Sequence, residues 1–251
     1  MSTIEQTRFD DIVLLTINRP QVMNALNTAV YQELADILMR IDADFSIQVV
    51  ILTGKGEKAF AAGADIGEMK DLDAQGGWRF SRLSQRPADL LASMRQVSIA
   101  AVNGYALGGG FELTLACDLC IASEHAVFAM PEVGLGIIPS GGGTQRLTHV
   151  VGARRAKELI FTGRQIGARE AETLGLVNRV VPARELIQQS LDLGKEITTK
   201  SSTAVCLAKR SIEASLDLDL KNGSDQESLR QGLAFAGEDR KERMLTFLDR
   251  K

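Results

Sequence analysis

The chain has 251 residues, of which 45% are hydrophobic and 24% are charged, and its formal net charge is −3. Such a composition suits a soluble globular protein with one large domain, or one domain and an appendage. It argues against a dedicated nucleic-acid binder, which normally has a basic face. No apolar run approaches the roughly 18 residues that span a membrane, and the polar start "MSTIEQTRFDD" is unlike a signal peptide. We therefore expect a cytoplasmic protein.

Strands and helices are predicted to alternate along the first three quarters of the chain. Asn24 is expected to cap the first helix, and residues 70–90 look like a mobile helical segment or a lid. A further helix is predicted to begin at Thr144, and Gly163 is placed to end another helix. The strands are predicted from β-branched or continuous apolar runs, at "IVLLTINRP", "VVILTG", "VSIAAVNG", "DLCIAS", "AVFAM" and "LVNRVVP".

Only helical patterns continue from about residue 186 onward. The sequence therefore predicts an α/β core over residues 1–185 and a helical region over residues 186–251.

Two loops of small residues each follow a predicted strand and precede a helix. They read "AAGAD" at residues 61–65 and "GYALGGG" at residues 104–110. Neither has the spacing of a P-loop or a dinucleotide fingerprint. Backbone N–H groups in such loops, unhindered by side chains, can hold an anion or a developing oxyanion. Both loops are either tight turns or the two halves of an oxyanion hole.

Two glutamates stand in apolar surroundings, Glu112 in "GFELTL" and Glu132 in "FAMPEVGLG". Burial raises the pKa of a carboxyl group, and a pair of carboxyls can divide acid and base duties. The alternative is that each is a salt-bridged structural carboxylate, with Arg146 as a candidate partner. With the two loops, this pattern indicates an acyl-transfer or enolate-type site.

The cysteines give little support to a metal site. Cys117 and Cys120 have the spacing of metal ligands in "CDLC", but only Cys206 and two histidines remain elsewhere in the sequence. A zinc site needs four such ligands, or three and an open position. Packing at a junction between helix and strand is the favoured interpretation, and we predict no metal.

Several motifs, in order and at matching spacing, resemble the enoyl-CoA hydratase/isomerase (crotonase) family over essentially the whole chain. They are "INRPQVMNALN", "KAFAAGADIGEM", "AAVNGYALGGGFELTLACD", "FAMPEVGLGIIPSGGGTQRL", "GLVNRVV" and the C-terminal "FAGEDRKERMLTFLDRK". The resemblance implies an α/β fold, a crotonase-like spiral of ββα units with a C-terminal helical trimerisation region. It implies a homotrimer or a homohexamer built as a dimer of trimers.

The resemblance also implies an acyl-CoA substrate, with coenzyme A as part of the substrate and no separate cofactor. The N–H groups of Ala64 and Gly109 would hold the thioester carbonyl. The residues implied to contact the CoA portion are Ala62, Ala64, Asp65, Ile66, Gly67, Phe247 and Arg250, the last two typically from a neighbouring subunit.

The pair of glutamates makes the chain resemble the hydratases within this family. Glu112 would act as the base that activates water for attack at C3, and Glu132 would deliver a proton to C2. The product would be a 3-hydroxyacyl-CoA.

Three positions depart from the family pattern. Ser140 stands where glycine is common, and it keeps the backbone N–H that helps hold the catalytic water. Gly67 stands where a lysine often lies near the CoA phosphates, a contact that Lys70 could supply. Arg243 replaces a small residue, for which the sequence offers no reason.

Other functions stay open. The chain could be an isomerase, or a hydratase of a branched, dicarboxylic or aromatic acyl-CoA, with Trp78 and Phe80 either lining the acyl pocket or packing. It could also be an RNA-binding relative. Against this stand the net charge and the simpler interpretation of its one basic cluster as a solvated helix face, at Arg154, Arg155 and Lys157.

Overall fold

The structure, a computed structural model, describes residues 2–249. The strands within this range are β1 Ile4–Phe9, β2 Ile12–Ile17, β3 Val49–Gly54, β4 Ala59–Ala61, β5 Val97–Val102, β6 Tyr105–Leu107, β7 Leu119–Ser123, β8 Val127–Ala129, β9 Ile166–Gly167 and β10 Arg179–Val181. The α-helices are α1 Thr28–Ala43, α2 Ile66–Met69, α3 Ala74–Ser93, α4 Gly109–Ala116, α5 Gly143–Val151, α6 Ala153–Thr162, α7 Ala168–Thr173, α8 Leu186–Thr198, α9 Ser202–Ala214, α10 Leu220–Phe235 and α11 Asp239–Leu248.

The chain divides into two compact units, the first ending at Gly194 and the second beginning at Lys195. The second unit consists of the end of α8 and of α9 to α11 within the described residues. The boundary predicted after residue 185 coincides with the start of α8 and stays a prediction.

Two sheets organise the first unit. The larger has the strand order β1-β2-β3-β5-β7-β10, parallel except for the β1–β2 hairpin, and the smaller has the order β4-β6-β8-β9. Along the chain, β3-β4, β5-β6 and β7-β8 each give one strand to each sheet, and helices follow each pair. The first unit is therefore built from three successive ββα turns.

The smaller sheet places three loops side by side. Strands β4, β6 and β8 are parallel neighbours, so their carboxyl ends meet at one edge of the sheet. Helix α4 lies close to β4 at this edge, because a Cβ on Gly110 would come within 2.1 Å of the Ala61 carbonyl oxygen. Glycine is needed for that approach, and the loops after β4, β6 and β8 converge.

Most predicted elements are confirmed. All six residues of β3 are buried, as a continuous apolar run predicts, and Gly163 ends α6 in the left-handed conformation at φ 61°. Helix α5 begins at Gly143, one residue before the predicted Thr144. Residues 70–90 contain most of α3, which continues through Pro87. Their mobility stays a prediction.

The predicted role of Asn24 is wrong. Asn27 caps α1, with its side chain accepting the Val30 N–H. Asn24 is fully buried in the turn before the helix, at φ 57°. Its amide donates to the carbonyl oxygens of Lys55 and Ala59, at 3.1 and 2.7 Å. A residue type that suits caps also suits left-handed turns, so sequence alone does not separate the two uses.

We expect Asn24→Ala to lower the free energy of unfolding by about 3 kcal/mol. It removes the donor to the Lys55 and Ala59 carbonyls and the acceptor of the Arg19 N–H, and it places alanine in the left-handed region. The matched variant Asn27→Ala removes only a cap and should cost about 1 kcal/mol. Urea unfolding followed by circular dichroism measures both. Equal losses in the two variants would contradict the structural role of Asn24.

Candidate active site

A cavity at the carboxyl edge of the smaller sheet collects the predicted chemical groups. Its volume is about 110 Å³, and it is partly open to solvent. Six of the predicted site residues line it: Ala62, Ala64, Ile66, Gly109, Glu112 and Glu132. They come from the loops after β4, β6 and β8 and from the first turn of α4.

Two backbone N–H groups at this cavity have no acceptor among residues 2–249. Leu26 pairs with the loop on one side of Ala64, through its N–H to Gly63 and its carbonyl to the Asp65 N–H. The Ala64 N–H therefore points away from Leu26, on the side of the loop that lines the cavity. Gly109 is the first residue of α4, so no preceding helical turn supplies an acceptor for its N–H. A Cβ on Gly109 would lie 3.7 Å from the Ala64 nitrogen, so the two donors are neighbours.

Glu112 lies in the first turn of α4 and is only 5% exposed. Its Oε1 accepts the N–H groups of Gly141 and Gly143, at 2.7 and 2.8 Å. Burial raises the pKa of Glu112, while these two N–H donors and the charge of Arg146 act in the opposite direction. The ion pair of Arg146 is with Asp89, at 3.3 Å, so Glu112 is not held as half of a salt bridge with Arg146.

Glu132 follows β8 and faces the same cavity. Its Oε2 is buried without a hydrogen-bond partner among the described residues, and its Oε1 lies 2.7 Å from where a Cβ on Gly108 would be. Burial first, and then the charge of Glu112, raises the pKa of Glu132 to about 7. Near neutral pH this carboxyl group can therefore either hold or release a proton.

Tyr31 also lines the cavity, a role that no sequence motif indicated. Its side chain is buried, with its ring edge-on to Phe80 at a centroid distance of 5.8 Å. Burial and the two nearby glutamates raise the pKa of its hydroxyl, which stays a neutral phenol. Tyr31 shares the apolar stripe of α1, so the sequence pattern predicts only a core position.

Ser140 also lines the cavity. Its carbonyl accepts hydrogen bonds from two side chains of α3, Ser81 at 3.0 Å and Gln85 at 2.8 Å. Sequence patterns gave no signal for these contacts, which join segments more than 50 positions apart.

The remaining predicted CoA contacts lie elsewhere. Asp65 caps α2 through the Gly67 N–H and pairs with Arg19 at 3.1 Å, and neither Asp65 nor Gly67 lines the cavity. Phe247 lies on α11 in the second unit. Arg250 lies outside the described residues.

The structure also shows where the side chains of three further predictions lie. Phe80 lines the cavity, whereas Trp78 is 64% exposed and does not. Lys70 is exposed and pairs with Asp71. Arg243 bonds to Asp239 at 2.7 Å and to the Thr199 carbonyl at 2.9 Å, which gives this departure a structural reason within the second unit.

The structure also locates the cysteines, the helices and the basic cluster singled out in the sequence. Within residues 2–249 no group of three His, Cys, Asp or Glu side chains could hold a metal ion, and Cys120 is buried in the core. None of the helices in this range is long and apolar enough to cross a bilayer. The basic cluster forms the exposed face of α6, opposite the buried Leu159 and Ile160.

The chain is similar to known proteins along almost its full length. A sequence profile described as enoyl-CoA hydratase/isomerase matches residues 7–251. A short-chain-enoyl-CoA hydratase of Clostridium acetobutylicum is 42% identical over 240 residues, which are 96% of this chain and 92% of that protein. A crotonyl-CoA hydratase of Syntrophomonas wolfei is 42% identical over 242 residues, 96% of this chain and 93% of that protein.

A solved structure shows the same similarity in three dimensions. The crystal structure of an enoyl-CoA hydratase from Bacillus anthracis superposes with a TM-score of 0.95 at 38% identity, covering 99% of this chain and 97% of that one.

The raised pKa of Glu132 makes its contribution to stability depend on pH. Its pKa in the folded chain, about 7, exceeds the ordinary value of 4.5. The folded state therefore loses stability as pH rises through about 7, where the buried group must ionise. We expect Glu132→Gln to raise the melting temperature relative to wild type more at about pH 9 than at about pH 5.

The exposed Glu57 offers a matched control. Glu57→Gln should shift the melting temperature equally at both pH values. A difference between Glu132→Gln and wild type that does not change with pH would refute the raised pKa.

Proposed function

Since the chain belongs to the enoyl-CoA hydratase/isomerase family and is an enoyl-CoA hydratase, we propose that Glu112 and Glu132 together add water across the 2,3 double bond of its substrate. The predicted family and the predicted α/β fold are confirmed. The observation that carries the proposed mechanism is that two carboxyl groups, the buried Glu112 and the half-buried Glu132, share one cavity with two N–H donors. Neither donor has an acceptor among residues 2–249.

The thioester carbonyl oxygen would lie between the N–H groups of Ala64 and Gly109. Attack at C3 moves the π electrons of the double bond toward C2 and the carbonyl, and negative charge develops on that oxygen. Two fixed donors, one of them at the positive end of the α4 dipole, stabilise this charge. Neither donor has to break a bond to the protein before it binds the substrate.

Glu112 is the proposed base. The N–H groups of Gly141 and Gly143 donate to its Oε1, so its ionised form has the hydrogen bonds that a buried carboxylate requires. It would take a proton from the water as the oxygen bonds to C3. Hydrogen bonds that favour the charged form support this role over that of an acid.

Glu132 is the proposed acid. Its Oε2 has no hydrogen-bond partner among residues 2–249, and a pKa of about 7 leaves much of it protonated at neutral pH. It would give its proton to C2 of the enolate-like intermediate, completing the 3-hydroxyacyl-CoA. Two carboxyl groups whose surroundings differ in this way can divide acid and base duties.

The CoA portion would extend from the thioester along the loop after β4. Ala62, Ile66 and Ala64 at the cavity support contacts with it, and Asp65 and Gly67 lie in the same stretch of chain. Phe247 and Arg250 would close over it from a neighbouring subunit. Coenzyme A belongs to the substrate, so the proposed reaction needs no separate cofactor or metal.

A short, unbranched acyl group is the proposed substrate class. The relatives named above are a short-chain-enoyl-CoA hydratase and a crotonyl-CoA hydratase. In this chain the edge-on pair of Tyr31 and Phe80 lines the cavity. Crotonyl-CoA is therefore the substrate to test, and the enzyme is proposed to act in the cytoplasm in fatty-acid breakdown.

Replacing either glutamate should nearly abolish hydration. We expect Glu112→Gln and Glu132→Gln each to lower kcat on crotonyl-CoA by about 10²–10⁴-fold, the usual contribution of a positioned acid or base. The loss of the ultraviolet absorbance of the conjugated thioester follows the reaction, and chromatography identifies 3-hydroxybutyryl-CoA. Glu57→Gln is the control, with circular dichroism to establish folding. A folded Glu→Gln variant with near-normal kcat would overturn the role of that residue.

The second unit supports an oligomer. Large apolar side chains on its helices are strongly exposed in the single chain, among them Leu220, Leu229, Leu233 and Phe247. Exposed apolar surface of this extent usually marks an interface. We expect light scattering after gel filtration to give three or six times the mass of one chain. A monomeric mass at micromolar concentration would contradict the proposed trimer or hexamer.

A further inference from the structure

One peptide group, between Ser140 and Gly141, connects α3 to Glu112. Its N–H donates to Oε1 of Glu112 at 2.7 Å. Its carbonyl oxygen accepts from Nε2 of Gln85 at 2.8 Å and from Oγ of Ser81 at 3.0 Å. Ser81 and Gln85 are one helical turn apart, so both side chains project from the same face of α3.

The planarity of the peptide group makes this connection stiff. Because the C=O and N–H of one trans peptide share a plane and point in opposite directions, fixing the carbonyl also fixes the direction of the N–H. The next two residues are Gly142 and Gly143, and Gly142 is at φ 110°. Glycine gives the backbone here more freedom than any other residue would, so the direction of the 140–141 peptide has to come from its partners.

The side chain of Gln85 is itself oriented. Nη1 of Arg82 donates to its Oε1 at 2.8 Å, which leaves the NH₂ end of the amide for the Ser140 carbonyl. Donors on a carbonyl also polarise the peptide and strengthen the hydrogen bond that its N–H makes. The carboxylate that receives this N–H is buried, where a charge-assisted bond matters most.

We propose that Gln85 and Ser81 are positioning residues, which hold the Ser140–Gly141 peptide so that its N–H keeps Glu112 aligned and ionised for catalysis. This inference rests on the proposed role of Glu112 as base. Helix α3 also gives Phe80 and Ser84 to the cavity wall. The helix that borders the substrate site thus also orients the base.

The other charged and titratable groups around Glu112 remain in place when α3 is changed. They are Tyr31 on α1, Glu132 after β8, Arg146 on α5 and, on α3 itself, Asp89, which pairs with Arg146. A change at Gln85 or Ser81 removes no formal charge. Gln85→Met also removes the acceptor of the Arg82 guanidinium, whereas Ser81→Ala leaves that bond in place. A shift in the titration of Glu112 that Ser81→Ala shares would therefore arise through the 140–141 peptide.

The test uses Gln85→Met, Ser81→Ala and the double variant in the full-length protein. Gln85→Met keeps the length of the side chain and removes the donor, and Gln75→Met on the exposed start of the same helix is the control. We expect kcat on crotonyl-CoA to fall by about tenfold in Gln85→Met, less in Ser81→Ala and most in the double variant, with KM within about twofold.

The pH dependence of kcat/KM separates the proposed role from a loss of packing, because a loss of packing alone would not shift the pH at which activity falls. Without the oriented N–H, the ionised form of Glu112 loses a donor, and its pKa rises. The acid limb of the kcat/KM profile should therefore move to higher pH in Gln85→Met and in the double variant, and it should stay in place in Gln75→Met.

Carbon NMR of the protein with labelled glutamate separates this proposal from the proposed function. The Glu112 carboxyl signal, assigned by its absence in Glu112→Gln, should titrate at higher pH in the double variant, without any substrate. If wild type fails to hydrate crotonyl-CoA, the proposed short-chain substrate is wrong, and the NMR titration still decides whether α3 controls Glu112. An unchanged Glu112 titration in the double variant would overturn the positioning role, as would equal losses in Gln75→Met. If Gln85→Met does not fold, Ser81→Ala carries the same two measurements.

Discussion

A buried carboxylate at the start of α4 is the constraint on which the site depends. A charged group that is 5% exposed is tolerated only where hydrogen bonds replace its lost water. Glu112 obtains them from the N–H groups of Gly141 and Gly143. A Cβ at either position would displace the Glu112 carboxylate, because it would come within 2.5 Å of it at Gly141 and 2.8 Å at Gly143. The loop before α5 therefore supplies the hydrogen bonds that replace water around the Glu112 carboxylate.

The smaller sheet supplies the rest of the arrangement. Its parallel strands end at one edge, so three loops that are far apart in sequence meet there. Each ββα turn contributes something different to this edge: the Ala64 N–H after β4, the Gly109 N–H and Glu112 after β6, and Glu132 after β8. The larger sheet, in which β3 and β5 are fully buried, contributes the first strand of each turn.

The two carboxyl groups differ because their surroundings differ. Glu112 has two N–H donors and the field of Arg146 to offset its burial. Glu132 has burial and the nearby negative charge of Glu112, without a hydrogen bond to its Oε2 from any described residue. An acid and a base of the same residue type can therefore operate side by side in one small cavity.

The sequence by itself determined the fold class, the family and the chemical groups, since these depend on local patterns. Continuous apolar runs predicted strands such as β3, and glycine-rich turns with an unexpected glutamate predicted the site around Glu112 and Gly109. Even so, a local pattern misassigned the cap of α1 to Asn24, because a left-handed turn favours the same residue type. It also gave no sign that Tyr31 reaches the cavity, since an inward-facing position on an amphipathic helix looks the same whether it meets a core or a substrate.

Only the tertiary structure decided which groups touch. The contacts of Ser81 and Gln85 with the Ser140 carbonyl and of Glu112 with the 141–143 loop join segments 29 to 59 positions apart along the chain. The same packing brings Glu132 to the cavity that Glu112 lines. Periodicity records which way a side chain faces from its own element. Periodicity does not predict which residues of another element contact that side chain, because those contacts depend on how helices and sheets pack together.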